Sequence, residues 1–263
     1  MKKISGWGLI KVYTAFVYVW MFTPIVAVIM LSFNPHQFGS FPMEGFSFKW
    51  YLELAQNYTI LNAFKNSLIL GSLTAVLATA IGIPAAMAFV RYEFPGKNTL
   101  NTLLLAPIMI PEVVLGVALL IFIRWLQQPK SFALLLIGHV VITLPYVLLV
   151  VQARLVGIKR VYEEAALSLG ANPFQTFREV TLPLLMPAVV AGMLFSFTIS
   201  FDDVTATLFW ATARSQTVPV KIFGMLRNSI SPEINALGAV MIVLTVSLPL
   251  LAGYLARKFA RGD

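Results

Sequence analysis

The sequence predicts an all-α membrane protein with six transmembrane helices, on three observations. Of 263 residues, 59% are hydrophobic and only 11% charged, and mean hydropathy is +0.83; a soluble domain carries about 25% charged residues. Six apolar runs are each long enough to cross a bilayer, which takes about 20 residues. A polar, punctuated insert over residues 159–186 separates four of these runs from the last two. The absence of cysteine excludes disulfides, thiolate metal sites and thiol chemistry.

Helix 1 is expected over residues 12–31, after a start carrying Lys2, Lys3 and Lys11. It is too long for a cleaved signal and lacks a small-residue cleavage site, so it is expected to remain as a helix. Residues 34–65 read as a longer, mostly polar loop with Pro35 and Pro42, and with a short amphipathic helix near Trp50 to Ala55. Helix 2 spans 66–90, where Gly71, Gly82 and other small residues let neighbours pack closely. A tight charged turn, Arg91 to Lys97, leads to helix 3 over 100–123, broken by Pro107 and Pro111. Helix 4 covers 132–151 with Pro145 inside it. Helix 5 covers 187–205, a polar mixed segment follows from Thr212 to Glu233, and helix 6 covers 235–255. The whole of 1–263 reads as one membrane domain without tandem repeats.

Six spans put both termini on one side. Twelve lysines and arginines fall on that side and seven on the other, so the termini and the insert are expected in the cytoplasm. The net charge of +8 is therefore a topology signal and not one for nucleic acid.

The insert has its own grammar. Lys159 and Arg160 precede Glu163 and Glu164 by four residues, a spacing that permits ion pairs across one helical turn. Gly170 accepts the left-handed conformation that ends a helix. Asn172-Pro173 reads as an N-cap followed by proline at the first helical position. Phe174 and Phe177 give the second segment an apolar stripe, and Pro183 is expected to stop it. Two short helices with acids and exposed aromatics, between membrane spans, suit docking to another protein; a plain interfacial connector is the alternative.

Candidate chemistry is sparse. No Gly-x4-Gly-Lys-Ser/Thr sequence is present, so the chain is not expected to hydrolyse ATP by the P-loop route. His36 and His139 do not suggest a metal site, and His139 reads as a hydrogen-bonded packing residue of helix 4. Three acids sit where acids are costly, Glu112 inside helix 3 and Asp202-Asp203 at the end of helix 5; each costs about 2.5–3.5 kcal/mol near the bilayer centre. They suit a cation-attracting pathway, or else Glu112 pairs with a buried base and the aspartates lie at the helix mouth. Adjacent aspartates on a helix point about 100° apart, so one can line a path while the other pairs structurally. Phe223 and Arg227 would share a helical face, either to cover a passing cation by cation–π contact or to pack against a partner.

The insert reads Glu164-Ala165-Ala166, three residues, Gly170, nine residues, then Val180-x-Leu182-Pro183. It resembles the EAA loop of ATP-binding-cassette importer permeases, with Val180 where the family usually has Ile. Further elements, among them Leu31-Ser32-Phe33-Asn34, Trp50-Tyr51, Arg91-Tyr92, Pro111-Glu112, Asp202-Asp203 and Pro232-Glu233-x-Asn235-Ala236-Leu237, are similar to the C-type permeases of bacterial spermidine/putrescine importers. The resemblance implies the type I importer permease fold with cytoplasmic coupling helices, in a bacterial inner membrane. It implies a second, homologous permease subunit, two copies of a cytoplasmic ATPase that binds the ATP and Mg, and a periplasmic or lipid-anchored polyamine-binding protein. Glu163, Glu164, Ala165, Ala166, Gly170 and Pro183 would then serve coupling, and Glu112, Asp202 and Asp203 would meet the ammonium groups, with no cofactor or metal in this chain. An importer for ferric ion, amino acids or phosphonate is the alternative. A membrane-embedded metal-dependent enzyme fares worse, since it leaves the insert unexplained.

Overall fold

The computed structural model describes residues 6–36, 43, 45–228 and 232–261. Lys2, Lys3 and Pro42, all used in the sequence reading, lie outside the described residues. The elements are helical throughout: α1 (Gly6–Leu31), α2 (Lys49–Gln56), α3 (Tyr58–Arg91), α4 (Lys97–Met109), α5 (Glu112–Trp125), α6 (Phe132–Gly157), α7 (Val161–Ser168), α8 (Pro173–Thr176), a π turn (Phe177–Thr181), α9 (Leu182–Asp202), α10 (Thr205–Trp210), α11 (Val218–Asn228) and α12 (Pro232–Arg261). Among the described residues five helices are long and apolar enough to cross a membrane, and six spans result if the bent pair α4–α5 is one of them.

The chain forms two compact units, Met1–Leu61 with Ile222–Leu244, and Asn62–Lys221 with Thr245–Asp263. In the first, the end of α1 is fastened by polar contacts that an apolar helix terminus needs. Trp50 of α2 donates its indole N–H to the carbonyl of Asn34 at 2.7 Å, and Tyr51 Oη lies 2.6 Å from Ser32 Oγ. Phe33, Phe46, Phe48 and Tyr51 pack around this junction with tilted and edge-to-face ring contacts. Apart from this anchored end, α1 turns large apolar side chains outward, Trp7, Phe16 and Trp20 among them.

The second unit holds the main core, where α3, α6 and α9 meet. Ala78 and Ala86 of α3, Val147, Leu148 and Val151 of α6, and Leu185 and Val189 of α9 are buried together. A neighbouring cluster joins Leu70, Leu135 and Ile142 to Ala206 and Trp210 of α10. Here Gly138 is indispensable, because a Cβ would meet the Trp210 ring at 2.2 Å. The indole N–H of Trp210 in turn donates to the carbonyl of Gly116 at 2.8 Å and ties α10 to α5.

Several expected boundaries move. The loop expected over 34–65 ends early, since Asn57 caps α3 by accepting from the N–H groups of Thr59 and Ile60. Asn66, polar in sequence, lies well inside α3 because its amide donates to the carbonyls of Arg214 and Gln216. The expected third span is two helices that meet at 110°. The break falls at Ile110 and Pro111, both extended, because proline disfavours helical geometry in the residue before it; Pro107 is tolerated within α4. At 1.5 Å per residue α4 and α5 are each about 20 Å long, too short to cross alone. The fifth span does not run past Asp203, which is extended and starts the turn into α10.

Candidate functional site

The insert folds as its sequence grammar predicts up to Pro183. Gly170 has φ +91°, and the N–H groups of Gly170 and Ala171 reach back to the carbonyls of Leu167 and Ala166, a Schellman ending for α7. Asn172 and Gln175 exchange side-chain and backbone hydrogen bonds in a capping box with Pro173 at the first helical position. Pro183 does not stop the second segment. The chain continues helically from Pro173 to Asp202, because the π turn lets the N–H of Leu182 bond Phe177 five residues back. That register loosens the backbone where the proline ring would otherwise crowd a carbonyl.

Neighbouring glutamates of α7 part company. Arg160 reaches Glu164 at 3.8 Å, and this pair is exposed. Glu163 does not pair with Lys159 as its spacing suggests. It turns inward, where Arg91 at the end of α3 meets it at 3.1 Å, with both side chains largely buried. Thr181 Oγ1 donates to the same carboxylate oxygen at 3.2 Å, and Arg91 also donates to the carbonyl of Ile158. Tertiary proximity overrides the local pair because Arg91 brings a planar, multi-donor head to a largely buried carboxylate. Around Glu164 the surface is apolar: Tyr162, Leu167, Leu169 and Phe174 are exposed, Leu169 by 90%.

Deeper in the second unit the acids separate in the same way. Asp203 is buried, and its carboxylate accepts from the N–H groups of Ala206 and Thr207 and from the Thr207 hydroxyl, at 3.3, 2.7 and 2.6 Å. It caps α10. Because Thr207 gives its hydroxyl proton to Asp203, its oxygen accepts from Nε2 of His139, 3.0 Å away. Nδ1 of His139 lies 2.8 Å from Ser200 Oγ, which is 3.3 Å from Thr74 Oγ1. One polar network thus joins α3, α6, α9 and α10, with His139 as the packing residue expected of it. Asp203, expected to meet substrate, has its oxygens filled by the protein. Asp202 points elsewhere: it is exposed, with one bond from Thr245 at 3.2 Å. Glu112, also exposed, opens α5 and sits within electrostatic reach of Asp203.

Phe223 and Arg227 belong to the first unit, where the guanidinium lies 5.8 Å from the ring centroid. The shared helical face is present, but the ring expected to cover a passing cation is already in cation–π contact with Arg227. Among the described residues no cluster of three metal-ligating side chains occurs.

Residues 78–261 match the family model of the binding-protein-dependent transport system inner membrane component. The chain belongs to this family. As an inner-membrane component it is 36% identical to the spermidine/putrescine transport system permease protein PotC of Escherichia coli (strain K12), over 94% of this chain and 93% of the relative. It is 37% identical to PotC of Haemophilus influenzae over 92% and 94%, and 30% identical to the putrescine transport system permease protein PotI of Escherichia coli (strain K12) over 97% and 92%. A bacterial ABC transporter involved in the import of the acidic polysaccharide alginate has the same fold, with TM-score 0.75 at 15% identity over 95% of both chains. The inward-facing MetNI methionine ABC transporter superposes with TM-score 0.63 at 16% identity, over 78% of this chain and 98% of that one. The protein is thus a multi-pass inner-membrane permease of the type I importer fold, and not an enzyme.

Sequence reasoning about this permease missed the partners more than the acids. Arg91 was legible as a turn residue and as part of the Arg91-Tyr92 resemblance but not as a partner of Glu163, and Thr74, Ser200 and Thr207 only as ordinary hydroxyls of apolar helices. One signal was available: Asp203 lies one position before the N-cap Val204, within side-chain reach of the first-turn N–H groups of Ala206 and Thr207.

Proposed function

We propose that residues 1–263 act as one permease domain of an ATP-driven importer that moves polyamines such as spermidine and putrescine into the cytoplasm. The observation that carries this reading is the 36% identity to a spermidine/putrescine permease over nearly the full length of both chains. Chemistry supports it. Glu112 and Asp202 are exposed carboxylates at helix ends, and acids in a membrane path compensate a cation's lost hydration. A negative-inside potential favours entry by about 2.3 kcal/mol per positive charge per 100 mV.

The working complex in this reading pairs the chain with a second homologous permease, two ATPase copies that bind ATP and Mg, and a polyamine-binding protein. Both termini and the insert face the cytoplasm, with α4–α5 counted as one crossing. Glu164 and its apolar surround on α7 and α8 supply the ATPase contact. Glu112 and Asp202 line the pathway, whereas Asp203 holds α10 in place, and the Phe223–Arg227 pair packs as a unit.

Radiolabelled putrescine and spermidine uptake into proteoliposomes of the full complex tests the reading. Wild type should accumulate a polyamine only with ATP, and Glu112→Gln and Asp202→Asn should each reduce uptake about tenfold while ATP turnover persists. ATP-driven uptake of a different cargo, with none of either polyamine, would refute the substrate assignment.

A further inference from the structure

We propose that Arg91 is the positioning residue through which the coupling loop acts on the membrane bundle, by a polar clamp with Glu163 and Thr181. The inference rests on the reading that α7 and α8 receive the ATPase, and it names how their movement reaches the spans. Within the insert, α7 and α8 are poorly held by apolar packing. Among the described residues α7 buries no side chain and α8 buries only Thr176, and a cavity of about 220 Å³ lies between these helices, the π turn and the end of α3. Without an apolar seam, the directional contacts that remain decide where α7 sits.

Those contacts converge on one carboxylate oxygen. Glu163 Oε1 accepts from Arg91 Nε at 3.2 Å and from Thr181 Oγ1 at 3.2 Å, and Arg91 Nη2 lies 3.1 Å from it as an ion pair. Arg91 Nη2 also donates to the carbonyl of Ile158 at 3.1 Å, at the cap that closes α6. Arg91 is the last residue of α3, and Thr181 is the last residue before α9. One charged junction therefore joins α7 to the cytoplasmic ends of α3, α6 and α9, the three helices of the main core. A charge-assisted, multi-donor contact transmits displacement, because sliding it by an ångström leaves buried charges unpaired, whereas an apolar contact slides at little cost. Glu164, one position along, is exposed with only the surface partner Arg160, and so is accessible to the ATPase. Push is thus received at Glu164 and its surround and passed on at Glu163.

The test is a double-mutant cycle in the full complex with Arg91→Gln, Glu163→Gln and both together, plus Arg91→Lys as the conservative variant. Uptake per ATP hydrolysed is read beside the distance between spin labels at Asn98→Cys and Ser168→Cys, in a chain without other cysteines. Each single substitution should lower uptake per ATP about tenfold and broaden the label distance. The double variant should lose no more than the worse single one, and Arg91→Lys should restore part of the coupling. Unchanged coupling in both singles, or losses that multiply in the double variant, would overturn the clamp. If wild type drives no polyamine uptake, the substrate reading fails separately, and the label distances still judge the clamp: narrow distributions in both singles would sink it.

Discussion

At the scale of single residues, adjacent acids take opposite roles, and the reason is angular. Glu163 and Glu164 differ by about 100° around α7, so one meets Arg91 and the other the outside. Asp202 and Asp203 differ because α9 ends between them, which frees Asp203 to turn back and cap α10. Substitution should separate these roles. Asp203→Ala leaves the N–H of Thr207 and its hydroxyl facing an emptied site and is expected to cost about 1–3 kcal/mol, read as a lower midpoint of thermal unfolding in detergent. Asp202→Asn should leave that midpoint unchanged while uptake falls. A stable Asp203→Ala protein with normal uptake would show that the network is dispensable.

At the scale of elements, the insert and the bent pair show how short signals set backbone direction. Gly170→Ala places a Cβ at φ +91°, where an L-residue pays roughly 1–2 kcal/mol; Asn172→Ala removes the capping box at about 1 kcal/mol. Neither residue is buried, so both should leave the unfolding midpoint of the bundle in place. Faster amide hydrogen exchange confined to residues 161–176 is the expected result. Exchange that accelerates equally through α6 and α9 would mean that the insert is part of the core's cooperative unit.

At the scale of the whole molecule, the proposed orientation predicts which surfaces meet which compartment. With no native cysteine, Ser168→Cys and Lys130→Cys can be probed one at a time in intact cells with a membrane-impermeant maleimide. Lys130→Cys should react from outside and Ser168→Cys only after permeabilisation. The reverse pattern would invert the topology. The same labelling at Asn98→Cys examines α4–α5, since a re-entrant pair in place of one crossing puts positions 98 and 130 on one side.

The sequence by itself determined what local chemistry controls. Apolar runs of sufficient length marked α1, α3, α6, α9 and α12, because in lipid a helix satisfies its own backbone and length alone decides crossing. Gly170 and Asn172-Pro173 fixed the shape of the insert, since left-handed turns and caps depend on residues within one turn of each other. Only the tertiary structure decided the rest. The 110° bend at Ile110–Pro111 was legible as a break but not as an angle, which neighbours such as α10 determine. Pro183 looked like a stop, and a π turn absorbed it. Arg91 with Glu163, and His139 with Asp203, are 72 and 64 residues apart, so no spacing rule could join them. A carboxylate's role follows from the donors that surround it, and here the fold brings those donors from distant helices.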